Sequence, residues 1–97
     1  MKKILLACAG GFSTSMLVAK MKEAAKEKGE EIWIDAVGDS DIEEHLDSDI
    51  ILLGPQIAHR LEDLRESLSM PVFVIESLDY GTMNGTAVLD FALKEIK

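Results

Sequence analysis

Short apolar runs alternate with amphipathic stretches along the whole chain. Four of these runs have the nearly unbroken apolar character of parallel strands buried on both faces. The expected strands are Lys3–Ala7, Glu31–Val37, Asp49–Leu53 and Val72–Ile75. Helical spacing of apolar residues predicts a helix after each strand. These helices are expected over Thr14–Lys28, from Ser40 to about Leu46, over Ile57–Leu68 and around Val88–Ile96.

The helical stretches also indicate which side chains enter the core. Ser40 to Glu43 has the spacing of a capping box, which predicts the start of the second helix. The apolar face of the first helix is expected to comprise Leu17, Met21, Ala24 and Ala25, with Met16 also assigned to the core. The last helix is expected to bury Val88, Leu89, Ala92, Leu93 and Ile96.

Strands that alternate with helices form parallel pairs through right-handed crossovers. The expected fold is therefore an α/β domain over residues 1–97: an open, doubly wound, four-stranded parallel sheet of order 2-1-3-4 with helices on both faces. Ligands of such sheets bind outside the C-terminal strand ends, at the point where the winding reverses. In this order that point lies between the first and third strands, where Cys8–Ser15 and Gly54–Gln56 follow them.

Composition narrows the class of partner. With 97 residues of which 47% are hydrophobic, the chain can bury a core without a disulfide or a metal. Its single cysteine cannot form an internal disulfide, which fits a reducing compartment. A formal charge of -8 disfavours nucleic acid and anionic membrane surfaces. No run reaches the roughly 18 apolar residues of a membrane span. We expect a cytoplasmic protein whose partners are small molecules and other proteins.

The segment between the first strand and the first helix carries the candidate chemistry. Gly10 and Gly11 allow the backbone to turn so that its N–H groups converge, and Ser13 is expected to cap the helix. Free N–H groups and the positive end of the helix dipole make an anion site without a basic side chain. The same field favours the thiolate form of Cys8. A nucleophile beside an anion site can accept and hold a phosphoryl group.

The same loop has several alternative interpretations. A lone cysteine after an apolar strand can be an inert, buried side chain. The loop has neither the lysine of a P-loop nor the glycine spacing of a dinucleotide site. A tyrosine-phosphatase loop has the form Cys-x5-Arg, but position 14 is threonine. The alternatives to a phosphoryl carrier are a stand-alone cysteine-dependent phosphatase or arsenate reductase, and a non-enzymatic anion-binding or redox-sensing module.

Three segments resemble the IIB component of the lactose/cellobiose-type sugar phosphotransferase system. They are Cys8-x-x-Gly11-x-Ser13-Thr14-Ser15, Leu52–Ile57 and Leu78-x-Tyr80-Gly81. The resemblance extends over essentially the full chain and implies the low-molecular-weight tyrosine phosphatase fold. It implies that Cys8 takes a phosphoryl group from a phosphohistidine of a IIA protein and passes it to a sugar bound in the membrane IIC permease. The phosphate-binding residues implied are Ala9, Gly10, Gly11, Phe12, Ser13, Thr14 and Ser15.

Two further residues are expected at the edge of this site. Gln56 is aimed at the switch point by Gly54 and Pro55, so its amide either contacts the phosphoryl group, shapes the loop or only begins a helix. Tyr80 either borders the site, contacts IIA or IIC, or packs in its loop. His59 lies near the same edge and is interpreted as an exposed helix residue. We expect a monomer with no cofactor, no metal site and no direct membrane insertion.

Overall fold

The computed structural model describes residues 1–9 and 12–96, with the backbone alone for residues 12 and 13. The strands are β1 (Lys2–Cys8), β2 (Ile32–Gly38), β3 (Ile50–Leu53) and β4 (Val72–Val74). The α-helices are α1 (Phe12–Lys28), α2 (Leu61–Ser67), α3 (Ser77–Gly81) and α4 (Gly85–Glu95). Two 3-10 helices, Asp39–His45 and Pro55–Arg60, follow β2 and β3.

The four strands form one parallel sheet in the order β2-β1-β3-β4, as the sequence predicted. In register, Cys8 lies beside Gly38 of β2, and Ala7 lies beside Leu53 of β3. The ends of β1, β2 and β3 therefore meet at one edge of the sheet. This register brings Cys8 next to the turn that follows β3, where the expected switch point lies.

Both faces of the sheet are covered, which explains the unbroken apolar runs of the central strands. Successive β1 side chains point to opposite faces: Ile4 and Leu6 enter the core under α1 and α4, whereas Leu5 and Ala7 enter the core with Ile57 and Leu64. All four residues of β3 are fully buried. The helices α1 and α4 thus lie on one face, and the 3-10 helices and α2 lie on the other.

Helices α1 and α4 pack closely because Gly85 has no side chain. A methyl group at Gly85 would lie 2.5 Å from the carbonyl carbon and Cβ of Lys20 and 2.6 Å from the amide nitrogen of Met21. The predicted buried residues Leu17 and Met21 are fully buried in this core. Assigning Met16 to it was wrong, because Met16 is 63% exposed. It lies five residues before Met21, which places it about 140° away around the helix.

Several predicted boundaries differ from the structure. Helix α1 begins at Phe12, so Ser13 lies inside it and cannot be its N-cap. The predicted capping box is absent, since a 3-10 helix follows Gly38 there without a side-chain cap. The predicted helix Ile57–Leu68 is divided, because Ile57 has non-helical dihedrals (φ -116°, ψ 25°) and only Leu61–Ser67 is α-helical. A short helix, α3, occupies what was expected to be a loop.

One side chain covers the outer edge of β4. Arg65 of α2 donates from Nε to the carbonyl oxygen of Val72 at 2.9 Å, and its guanidinium lies 5.4 Å from the ring centroid of Phe73. An unpaired carbonyl on an edge strand is a template for association with another chain. Here the Val72 carbonyl instead accepts a hydrogen bond from Arg65 of the same molecule.

Among residues 1–9 and 12–96, no helix combines the length and the apolar character needed to cross a membrane.

Candidate functional site

Cys8 is the last residue of β1, and its side chain points toward α1. The sulfur is 3.0 Å from the hydroxyl oxygen of Thr14, the third residue of α1. Both residues are buried, with Cys8 2% exposed and Thr14 0% exposed. Burial alone would fit an inert cysteine, but a buried hydroxyl in hydrogen-bonding contact with the sulfur adds a polar partner.

The start of α1 supplies backbone donors beside Cys8. The N–H groups in the first turn of an α-helix point toward its amino end, and in α1 this turn runs from Phe12 to Ser15. They carry the positive end of the helix dipole, which favours anions. Ala9 joins the strand to this region and is exposed. Gly10 and Gly11, also expected to bind phosphate, lie outside the described residues.

Gly54 closes the other side of Cys8. Its amide nitrogen donates to the Ala7 carbonyl oxygen at 2.8 Å, which continues the β1–β3 pairing one residue beyond β3. A methyl group at Gly54 would lie 3.2 Å from Cβ of Cys8 and 3.6 Å from the Ala7 carbonyl oxygen. Sequence reasoning placed Gly54–Gln56 with Cys8–Ser15 at the switch point, and the structure brings Gly54 next to Cys8. The close approach of Gly54 to Cβ of Cys8 was not predicted, because it depends on side-chain positions.

Gln56 and Tyr80 meet at this edge. Nε2 of Gln56 donates to the Tyr80 hydroxyl oxygen at 3.4 Å. Oε1 of Gln56 lies 2.7 Å from the point that a methyl group on Gly54 would occupy. Tyr80 is 8% exposed and belongs to the core under α1 and α4, whereas Gln56 is exposed. The structure therefore links the two candidate edge residues to each other and, through Gly54, to Cys8.

The third candidate, His59, is exposed on the 3-10 helix that also carries Gln56. The neighbouring Arg60 is engaged elsewhere: its Nη1 lies 3.2 Å from Oδ2 of Asp39, the residue that follows β2. This ion pair joins the segments that follow β2 and β3, on either side of β1.

Charge is distributed unevenly around the site. The segment Ala9–Ser15 contains no ionisable side chain. Glu76 and Asp79, which follow β4, line a cleft of about 160 Å³ together with apolar residues that include Val74 and Phe91. Cys8 does not line this cleft. The acidic residues at this sheet edge therefore follow the outer strands β2 and β4, whereas the segment Ala9–Ser15 after β1 carries no charged side chain.

The arrangement around Cys8 supplies a thiol, a hydroxyl and helix-terminal amides. Across residues 1–9 and 12–96, no group of three or more His, Cys, Asp or Glu side chains lies close enough to hold a metal ion. Cys8 can act as a nucleophile, the Thr14 hydroxyl can stabilise its thiolate, and the α1 amides can bind the oxygens of a phosphoryl group.

Comparison with known proteins places the chain in a family. Residues 3–91 match the family of lactose/cellobiose-specific IIB subunits of the phosphotransferase system. The chain is 42% identical over 97 residues to the oligo-beta-mannoside-specific EIIB component of Bacillus subtilis (96% of this chain, 94% of the relative). It is also 42% identical over 97 residues to the galactose-specific EIIB component of Lactococcus lactis subsp. cremoris (91% and 90%).

A solved structure agrees with this assignment. The cellobiose-specific phosphotransferase IIB component of Borrelia burgdorferi superposes with a TM-score of 0.82 at 35% identity, covering 98% of this chain and 91% of that one. IIB domains have the low-molecular-weight tyrosine-phosphatase-like fold, which confirms the predicted architecture. The chain therefore belongs to the lactose/cellobiose-specific IIB subunits of the sugar phosphotransferase system.

Proposed function

We propose that the protein carries a phosphoryl group on Cys8, receiving it from a phosphorylated IIA protein and delivering it to a sugar bound in a IIC permease. IIB components are phosphotransferase subunits that act with IIA and IIC partners in sugar uptake. The observation that carries the proposal is the contact of 3.0 Å between the sulfur of Cys8 and the hydroxyl of Thr14, at the amino terminus of α1. We place the protein in the cytoplasm, as a monomeric IIB domain without a cofactor.

The chemistry proceeds in two half-reactions. In charging, the Cys8 thiolate attacks the phosphorus of the IIA phosphohistidine, an S–P bond forms, the N–P bond breaks and the imidazole nitrogen keeps the electron pair. In discharge, a sugar hydroxyl attacks phosphorus, an O–P bond forms, the S–P bond breaks, sulfur keeps the electron pair and the hydroxyl proton is released to solvent. The backbone donors of residues 9–15 bind the phosphoryl oxygens, and the Thr14 hydroxyl stabilises the thiolate in both half-reactions.

The site favours a carrier over a phosphatase. Position 14, where the Cys-x5-Arg pattern has its charged clamp, holds a threonine whose hydroxyl contacts the nucleophile. Without that arginine, the loop has no side-chain cation to stabilise the negative charge of the transition state for attack by water. The phosphorylated cysteine can then persist until a partner supplies an acceptor.

A β-linked disaccharide such as cellobiose, chitobiose or lactose is the sugar class we propose. The two relatives compared above are named for oligo-beta-mannoside and galactose, and the solved structure is named for cellobiose. Because the sugar is bound in IIC, the choice among these substrates lies with the permease partner.

Intact-mass spectrometry tests the carrier function directly. The protein is incubated with phosphoenolpyruvate, the general phosphotransferase proteins and a panel of IIA proteins. We expect a gain of one phosphoryl group that disappears in Cys8→Ser and persists in His59→Ala. No gain with any IIA protein would contradict the proposal, and turnover of an aryl phosphate abolished by Cys8→Ser would favour the phosphatase instead.

A further inference from the structure

The two ends of the Gln56 carboxamide face different neighbours. Nε2 donates to the hydroxyl oxygen of Tyr80, and Oε1 lies over Gly54. The point beside Gly54 that is 2.7 Å from Oε1 is also 3.2 Å from Cβ of Cys8. Oε1 of Gln56 and Cβ of Cys8 therefore both lie close to Gly54, and the donor end of the carboxamide is occupied by Tyr80.

Tyr80 provides a fixed point for this arrangement. Its ring is 8% exposed and packs in the core with residues of β1, β3, α1 and α4. Its backbone amide donates to the carbonyl of Glu76 at 2.9 Å, which closes the first turn of α3. Gln56 itself is an exposed residue of the 3-10 helix Pro55–Arg60.

An acceptor at this position suits one reactant better than the other. Phosphoryl oxygens are hydrogen-bond acceptors, and a carbonyl oxygen facing them gains nothing. The reactant with a proton to donate is the sugar hydroxyl that attacks phosphorus. The phosphohistidine nitrogen that leaves in the charging step carries the phosphoryl group and offers no proton there.

We propose that Oε1 of Gln56 accepts a hydrogen bond from the sugar hydroxyl that takes the phosphoryl group, and that Tyr80 is the positioning residue that fixes the carboxamide; this rests on the proposed function. As the O–P bond forms and the S–P bond breaks, sulfur keeps the electron pair. The proton released by the hydroxyl passes to solvent water, and Cys8 is left as the thiolate that begins the next charging step. Gln56 orients the hydroxyl without taking its proton.

The test separates charging from discharge. Charging is followed by intact mass with phosphoenolpyruvate, the general proteins and IIA. Discharge is followed on the isolated phosphoprotein with membrane vesicles that contain the IIC permease, with cellobiose, chitobiose or lactose as the probe sugar. Gln56→Met removes the acceptor and keeps the length of the side chain. Tyr80→Phe keeps the ring and removes the hydroxyl. His59→Ala is the matched control on the same 3-10 helix.

We expect Gln56→Met to be charged like the wild type and discharged about tenfold more slowly at saturating permease, the effect of one lost hydrogen bond to the reacting group. Tyr80→Phe should slow discharge by about threefold, because the carboxamide then rotates more freely. The permease concentration for half-maximal discharge and the thermal midpoint should not change in either variant. A merely structural role would shift the midpoint or affect charging equally.

Different outcomes reject different claims. If Gln56→Met discharges at the wild-type rate, or if its rates of charging and discharge fall equally, the proposed role of Gln56 is wrong. If Tyr80→Phe discharges at the wild-type rate, the positioning role of Tyr80 is wrong. A wild-type protein that no IIA protein charges, or that transfers to no probe sugar, would instead reject the proposed function itself.

Discussion

The hydroxyl of Thr14 lies 3.0 Å from the sulfur of Cys8, inside a region where neither residue is more than 2% exposed. The two residues come from different elements, the end of β1 and the first turn of α1. A hydroxyl is a donor and an acceptor, so it serves both the thiolate and the thiol. This contact ties Cys8, the proposed nucleophile, to the helix terminus that is expected to bind the phosphoryl oxygens.

Replacing Thr14 by valine keeps the β-branched shape and removes the hydroxyl. In the proposed carrier, loss of one hydrogen bond to a charged sulfur should slow both charging and discharge by about tenfold, because the thiolate is the attacking group in one step and the leaving group in the other. Single-turnover intact-mass measurements of both half-reactions check this. Thr14→Ser restores the hydroxyl and should recover most of the rate, and equal rates in Thr14→Val and the wild type would refute the role.

Position 54 requires glycine because a side chain there would crowd Cys8, and not because of the backbone conformation. Its dihedrals (φ -61°, ψ 148°) are accessible to any residue, but a methyl group would lie 3.2 Å from Cβ of Cys8 and 2.7 Å from Oε1 of Gln56. Gly54→Ala should therefore displace both side chains and lower the free energy of unfolding by about 1–3 kcal/mol. Urea unfolding measures the second effect, and phosphorylation of Cys8 by IIA reports the first.

Gly81 offers a matched control for this substitution. It is the last residue of α3, and a methyl group there would contact nothing within 4 Å. Gly81→Ala should be neutral or stabilising by up to about 1 kcal/mol, since alanine restricts the unfolded chain more than glycine does. Similar behaviour of the two alanine variants would show that crowding beside Cys8 is not the reason for glycine at position 54.

Sequence reasoning reached the fold because its strongest signals come from burial. The runs at the centres of β1 and β3 are apolar throughout, which only a doubly covered parallel strand requires, and the alternation with helices makes 2-1-3-4 the simplest strand order. The boundaries were less well predicted, because helix starts depend on local hydrogen bonds. Ser13 was predicted as an N-cap from its residue type, yet α1 begins one residue before it.

The candidate site was predicted only in part, because topology places Cys8 but does not specify contacts between side chains. Placing Cys8 at the sheet edge required only topology. The link from Gln56 to Tyr80 joins residues 24 positions apart, and it depends on the short helix α3, which has no clear periodic pattern in five residues. Contacts of this kind depend on side-chain directions, which a pattern of apolar and polar positions does not specify.

Arg65 protects the edge of the sheet, and its removal should have two separable effects. Arg65→Ala removes the 2.9 Å hydrogen bond to the Val72 carbonyl and should lower the free energy of unfolding by about 1 kcal/mol. It also exposes that carbonyl on an edge strand, so self-association should increase with protein concentration. Urea unfolding and light scattering measure the two effects. Lys94→Ala, which removes an exposed charge from α4, is the control. It should change neither the free energy of unfolding nor self-association.

The stability that Asp47 contributes to the fold depends on pH, and the sign of this dependence follows from its partner, Lys3. Lys3 of β1 donates to Oδ2 of Asp47, and this hydrogen bond lowers the pKa of the carboxyl group below its ordinary value of 3.8. A carboxyl group with a lowered pKa in the folded state contributes stability that is present above its unfolded pKa and lost as the pH falls through the folded value. Asp47→Asn should therefore be less stable than the wild type at pH 7.

The difference between Asp47→Asn and the wild type should shrink as the pH falls below 3.8 and vanish once Asp47 is protonated in both states. It should also shrink with added salt, because the side chains of this ion pair are solvent-accessible. Urea midpoints measured from pH 7 to pH 2 check the trend, and NMR titration of the Asp47 carboxyl checks its cause, with Lys3→Met expected to return the pKa toward its ordinary value. A stability difference that stays constant across this range would mean that Asp47 acts through packing rather than through its charge.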